Sequence, residues 1–207
     1  MSQELQELNN FYTLINDLKF TYRFSESPNL GKESTAGHSW RLAMMVMTLT
    51  DTLPVKIHKE HALELALIHD LAEVITGDVD YNLVYNQILT TETKQEKEKK
   101  AMQQLIKPLP KKMQEKMLAL FNEYESQQTP EANYIKALDK LESIAHVFAC
   151  GMEKLKDPRV LPTYADKAVK KFPALLPLHM LQKKELKKYF EKNDIPWKTE
   201  YDYGMNK

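Results

Sequence analysis

Apolar residues recur at spacings of three and four along most of the chain. Leu5, Leu8, Phe11, Tyr12, Ile15 and Leu18 predict a first helix from about 3 to 20. Residues 21–37 interrupt the period with Ser, Pro and Gly and read as a loop. A second helix opens near His38 and turns Leu42, Met45, Val46 and Leu49 inward, with Pro54 as the next break. A third pattern spans about 58–76 and stops at Gly77, a C-terminal cap. It is apolar around most of its circumference, so it is expected to be the central, most buried helix. A charged segment from about 88 to 107 carries a thin apolar stripe and ends at Pro108. Residues 111–125 place Met113, Met117, Leu120 and Phe121 on one face. Thr129-Pro130-Glu131 combines a capping hydroxyl, a first-turn proline and an acid at the positive end of the dipole. The helix it starts is expected to run to about Leu155. Two more follow, about 163–171 and 178–193, and the aromatic stretch from Asp194 to Lys207 reads as extended. No alternation of period two reaches strand length, so the predicted class is all-α.

Composition narrows the choice of function. The 207 residues suffice for one substantial core and no linker divides them, so one domain over 1–207 is expected. The formal net charge is zero, which leaves no global basic field for nucleic acid or an anionic membrane. A lone cysteine, Cys150, excludes an intramolecular disulfide and fits a reducing compartment. The start, Met1-Ser2-Gln3-Glu4, is polar and unlike a signal peptide, and no apolar run approaches the ~20 residues that span a bilayer. A cytoplasmic location is expected.

The informative feature is His69-Asp70, two polar groups inside the apolar stretch Leu63 to Ile75. His38 opens an upstream helix, Asp139 sits inside a downstream one, and Glu73 follows His69 by four residues. Burying such groups unpartnered costs several kcal/mol, on the order of ~2–7 each. A divalent ion would satisfy them together. Neighbours on a helix point about 100° apart, so His69 and Asp70 can reach one ion between them. Glu73, about 40° round and one turn along, would reach water beside that ion without being a ligand. A mixed imidazole and carboxylate shell suits Mn, Fe, Co, Ni or Zn better than Ca.

Other features read as structural. His58, His61, His146 and His179 are expected at the surface or satisfied in the core, with His146 ~10 Å along the helix from Asp139, too far to share its ion. Lys94 to Lys100 and Lys183 to Lys188 read as solvated helix faces, the methionines as core filler. Cys150 has no evident base partner, which argues against a catalytic thiol.

The order His38, His69-Asp70, Asp139 resembles the HD-domain metal-dependent phosphohydrolases. Three strings are similar to the branch that contains the bacterial 5′-deoxynucleotidases and their eukaryotic relatives: ESTAGHSWRLAMM (33–45), LALIHDLAEVITGD (65–78) and YIKALDKLES (134–143). Arg23-Phe24 stands where this branch has an arginine and an aromatic. The resemblance covers roughly residues 5–160, leaving additional C-terminal helices and a tail from 161 to 207 without a motif. It implies an all-helical HD bundle in which His38, His69, Asp70 and Asp139 ligate one divalent metal. It implies that Glu73 acts on the attacking water or leaving oxygen and that Arg23 holds the phosphate. Asp78 would contact the sugar or order the phosphate site, and Phe24 would pack near C2′ of the sugar. The substrate implied is a nucleoside 5′-monophosphate, most of all a deoxynucleotide, and the assembly a homodimer.

Two positions depart from the branch. Tryptophan is usual at the aromatic position, and a smaller ring here would loosen discrimination against ribose. An acid is usual before the first histidine, where this chain has Gly37, so a charge at the helix start or behind the metal is missing. Alternatives are pyrophosphate removal from a nucleotide, which would want further basic residues that this neutral chain does not clearly offer, and a non-catalytic metal-containing nucleotide sensor. HD-fold oxygenases need further histidines that cannot be placed.

Overall fold

In the computed structural model, residues 3–204 are described except Asn82 and 84–89. The chain is helical, as expected, and the described residues contain one isolated bridge and no strand. The first helix is shorter than its apolar period: α1 covers Gln3–Ile15 and tightens into a 3₁₀ turn over Asn16–Lys19. The loop that follows is clipped shut. Tyr22 and Ser34 form an antiparallel bridge, flanked by Arg23 N–H to the Glu33 carbonyl (3.0 Å) and Thr35 N–H to the Thr21 carbonyl (2.8 Å).

Helix α2 (Thr35–Thr52) begins three residues before His38, because the Ser34 hydroxyl accepts the Gly37 N–H at 3.1 Å and caps it. His38 therefore sits inside the first turn. The expected helix over 58–76 is two helices. Following α3 (Lys59–Ile68), the chain shifts to three-residue bonds, Leu71 N–H to Ile68 and Glu73 N–H to Asp70, before the short α4 (Glu73–Thr76). Gly77, at φ +70°, ends it as expected.

Next come α5 (Thr91–Leu105) and α6 (Lys111–Ser126); residues 88–89 of the expected charged helix lie outside the described residues. Helix α7 (Pro130–Cys150) starts at the Thr129 cap as predicted but stops at Gly151 (φ +104°), before Leu155. It is α7, not the 58–76 pattern, that occupies the centre. It packs against α2, α3 and α6 and against the C-terminal helices, and it buries Tyr134, Ile135, Leu138, Leu141 and Ile144 completely. α3 packs its Ala62, Leu65 and Ala66 into the same core yet leaves the apolar Leu67 59% exposed. Met102 fills that core, whereas Met44, Met47 and Met113 stand at the surface, against expectation. Among the described residues no helix is long and apolar enough to cross a membrane.

The C-terminal part consists of α8 (Leu161–Tyr164), α9 (Asp166–Lys171) and α10 (Leu176–Lys192). The tail is not extended throughout, because Thr199–Asp202 forms a 3₁₀ turn that buries Tyr201; residues 205–207 lie outside the described residues. Lys183, expected on a solvated face, is fully buried, with its ammonium 2.8 Å from both Asp166 Oδ1 and the Tyr201 carbonyl. His179 Nε2 meets the same Asp166 oxygen at 2.6 Å. Asp166→Ala would strand that ammonium, and breaking one side of a buried pair costs about 3–5 kcal/mol. Urea denaturation should show a loss of that size, and an unchanged midpoint would remove Asp166 from the stability of this end.

Candidate active site

Three helices converge at one point. His38 comes from the first turn of α2, His69 caps α3, Asp70 follows in the tightened turn, and Asp139 lies in the middle of α7. His38 Nε2 is 3.2 Å from His69 Nε2, 3.3 Å from Asp139 Oδ1 and 3.7 Å from Asp70 Oδ2. His69 Nε2 is 3.0 Å from Asp70 Oδ2. Donors bound to one ion at ~2.1 Å would stand ~3.0–3.4 Å apart at octahedral or tetrahedral angles, so His38, His69 and Asp139 are spaced as a group that could hold a metal ion, with Asp70 beside His69 and farther from His38.

The backs of the rings are committed elsewhere. His69 Nδ1 donates to the Ala66 carbonyl at 2.9 Å, and His38 Nδ1 is bonded to the Glu142 carboxylate. Such outer partners fix the tautomer and aim each Nε2 lone pair inward. Two lone pairs facing each other repel unless a proton or a metal lies between them. Burial and Arg23 both oppose charge on His38, but hydrogen bonds to Asp139 and Glu142 outweigh them and lift its pKa to about 9. The site thus attracts a cation strongly enough to hold a proton where a metal would sit. Burial would push Asp139 up, yet Lys140 and His38 hold it well below the ordinary carboxylate range.

Glu73 is 1% exposed and accepts the Thr35 hydroxyl at 2.9 Å. Its relation to the ligands differs from the expected helical one. The three-residue bonding after Ile68 brings Asp70 and Glu73 onto one side, because side chains three apart eclipse in 3₁₀ geometry. Both line the same cavity of about 240 Å³. Burial, and then the charges of Asp70 and Asp78, push Glu73 well above its ordinary range. Asp78, just past Gly77, also lines the cavity and is raised, mainly by burial.

Arg23 reaches this cavity from the clipped loop. Its guanidinium donates to Glu33 Oε2 (2.8 Å), Ser143 Oγ (2.8 Å) and Glu142 Oε2 (3.4 Å), so its orientation is set. Phe24 adopts φ +61°, a left-handed conformation that is strained for a bulky residue and of the kind that clusters at ligand sites. Its ring stacks on His146, centroids 5.2 Å apart, while His146 Nδ1 pairs with Glu33 at 3.0 Å. His146 thus stays apart from the ion donors, as expected, but it backs the aromatic wall. Cys150 does have an imidazole near it, His146 Nε2 at 3.5 Å, at the end of α7.

Several groups escaped the sequence. Glu142, three residues after Asp139 and on the same face of α7, supplies the acid behind the first histidine that Gly37 does not. Lys94 lines the cavity, 3.9 Å from Glu73 and 3.3 Å from Glu98, so it does not belong to a merely solvated face. Lys136 and Lys140 also line it, flanking Asp139 at the spacing of a helical turn, which was the available signal. Net neutrality concealed these cations. Each is paired within the site: Lys140 with Asp139 and the Tyr164 hydroxyl (both 3.1 Å), Lys136 with the Tyr124 hydroxyl (2.9 Å).

Known proteins resemble this chain in sequence and fold. A model of the HD domain matches residues 15–176. The 5′-deoxynucleotidase HDDC2 of Mus musculus is 33% identical over 169 residues, 78% of either chain. The 5′-deoxynucleotidase hdd1 of Schizosaccharomyces pombe is 40% identical over 121 residues, 56% of this chain and 57% of that one. A crystal structure of a predicted metal-dependent phosphohydrolase from Magnetospirillum magnetotacticum superposes with a TM-score of 0.74 at 25% identity, covering 93% of this chain and 95% of the other. The chain belongs to the HD-domain family. It is an enzyme of that family's metal-dependent phosphohydrolase class, as its motifs led one to expect.

Proposed function

We propose that this chain is a phosphomonoesterase that hydrolyses deoxynucleoside 5′-monophosphates to nucleoside and phosphate with one divalent ion. The supporting observation is the convergence of two Nε2 atoms and two carboxylates beside a cavity that also holds Arg23, Glu73 and Phe24. Bound by His38, His69, Asp70 and Asp139, a divalent ion would neutralise the phosphate and make water nucleophilic near neutral pH. Arg23 presents a pre-oriented fork to the phosphate oxygens, stabilising charge that grows during in-line displacement. Glu73, with its affinity for protons raised, takes a proton from the attacking water and returns it to the departing 5′-oxygen. Phe24 forms the wall at C2′ and Asp78 orders the sugar side of the cavity.

Lysines in the cavity reopen the pyrophosphatase alternative, but each already has a partner in the protein, which disfavours a second free phosphate subsite. A purely structural metal would not call for Glu73, a buried carboxylate beside the donor set at the cavity.

The test is phosphate release from matched deoxy- and ribonucleotides with several divalent metals and with chelator. Deoxynucleotides should be preferred, and chelator should stop the reaction. A ring against C2′ rejects a hydroxyl by bulk and by leaving it unpaired, about 1–3 kcal/mol or ~10–200-fold. Phe24→Trp should widen the preference in kcat/KM and Phe24→Ala shrink it, whereas Arg23→Ala should weaken both sugars alike. If Phe24 variants shift both sugars equally, position 24 does not read the sugar.

A further inference from the structure

Besides its charged groups, the cavity is lined by the apolar and aromatic side chains of Val79, Tyr81, Leu155, Val160, Leu161 and Tyr164. Tyr81 and Tyr164 meet edge to face there, centroids 4.5 Å apart and planes 69° apart. We propose that Tyr81 and Tyr164 form the platform on which the nucleobase of the substrate stacks. This assignment rests on the phosphomonoesterase reading for the placement of the phosphate.

The spacing supports it. Lys140 Nζ lies 3.1 Å from Asp139 Oδ2 and 3.1 Å from the Tyr164 hydroxyl. Lys140 therefore bridges an ion donor to the tyrosine pair, which places both at the same cavity. A phosphate at the ion end and a sugar against Phe24 bring the base to the tyrosines. Lys140 also fixes the Tyr164 ring by its hydroxyl, and the 199–202 turn packs behind α8, so the wall is built before a ligand arrives.

The chemistry of the wall selects a flat heteroaromatic group. Among the described residues, the cavity lining includes no Asn or Gln, the residues that pair with base edges. Its arginine, Arg23, is committed to Glu33, Glu142 and Ser143, and Asp80 accepts the Glu26 N–H at 2.9 Å. The tyrosine pair offers stacking and apolar contact as a means of holding a base. Larger rings overlap more surface, so purines gain most.

The experiment compares deoxyadenosine 5′-monophosphate with 2-deoxyribose 5-phosphate, which lacks the base, in wild type, Tyr81→Ala and Tyr164→Phe. Tyr81 is 37% exposed, so its truncation leaves the core packed. The wild type should favour the nucleotide, and Tyr81→Ala should shrink that advantage by about 5- to 100-fold, the range for losing one aromatic partner of a base. The loss should lie in KM and not in kcat, because a stack present in ground and transition states alike is uniform binding. Tyr164→Phe keeps the ring and should keep the advantage. Equal losses on both substrates in Tyr81→Ala would overturn the platform. The calorimetric Kd of deoxyadenosine, the expected product, separates the two readings. If neither substrate releases phosphate, the phosphomonoesterase reading fails. In that case, weaker deoxyadenosine binding by Tyr81→Ala still supports the platform, and equal Kd in both proteins, or no binding to wild type, overturns it.

Discussion

His69→Ala and Asp70→Ala should each abolish phosphate release and strip the ion from the protein. His69 Nε2 stands 3.2 Å from His38 Nε2 and 3.0 Å from Asp70 Oδ2, so it joins donors from α2 and from the turn. Removing it leaves three donors and an open side where the substrate has to be oriented. Removing Asp70 deletes a carboxylate that burial opposes but His69 and His38 hold ionised, far below the ordinary range. The remaining charge then compensates a dication poorly, and the site loses one of its donors. Elemental analysis of the purified variants, alongside circular dichroism to verify the fold, is the measurement. Full metal content in both would contradict the ligand assignment, whatever the activity.

Glu73→Ala should keep the ion and still lose on the order of 10²–10⁴-fold in turnover, the range for a residue that transfers the proton. Glu73→Gln should lose as much, because an amide holds the Thr35 hydroxyl but moves no proton. A stability readout goes with it. Burial and Asp70 raise the folded pKa of Glu73 above its unfolded value, so this group costs stability progressively as pH rises from the unfolded value towards the folded one. Glu73→Gln should therefore raise Tm of the metal-free protein at neutral pH and lose that advantage in acid. Function and stability pull in opposite directions at this residue, as at other sites kept strained for chemistry. Loss of metal with activity would make Glu73 a ligand, and normal turnover would remove it from the reaction.

Helical class, the positions of most helices and the polar residues His38, His69, Asp70 and Asp139 in their apolar runs were all readable from the chain. They are local quantities. A period of 3.6 residues, a threonine-proline cap before α7 and polar residues marooned in apolar runs are properties of neighbours in sequence. What failed was set by contact between distant segments. The break after His69 is invisible to periodicity, because an apolar run reads as one helix whether or not it tightens midway. Burial misled for the same reason: α3 is the more apolar helix, but α7 is central because neighbouring helices pack against it from several sides.

The site divides along the same line. Sequence by itself pointed to the family, through the likeness of the strings at 33–45, 65–78 and 134–143, and to the residue types that meet at the site. Only tertiary structure decided which groups hold those donors in place. Glu142 backs His38 across 104 residues, Arg23 finds Ser143 across 120, and Lys94 meets Glu73 from a helix that looked solvated. It likewise placed Tyr81 against Tyr164, two residues without a motif between them. Pairing of this kind depends on how helices cross, which arises from the packing of the whole core and leaves no local pattern in the chain.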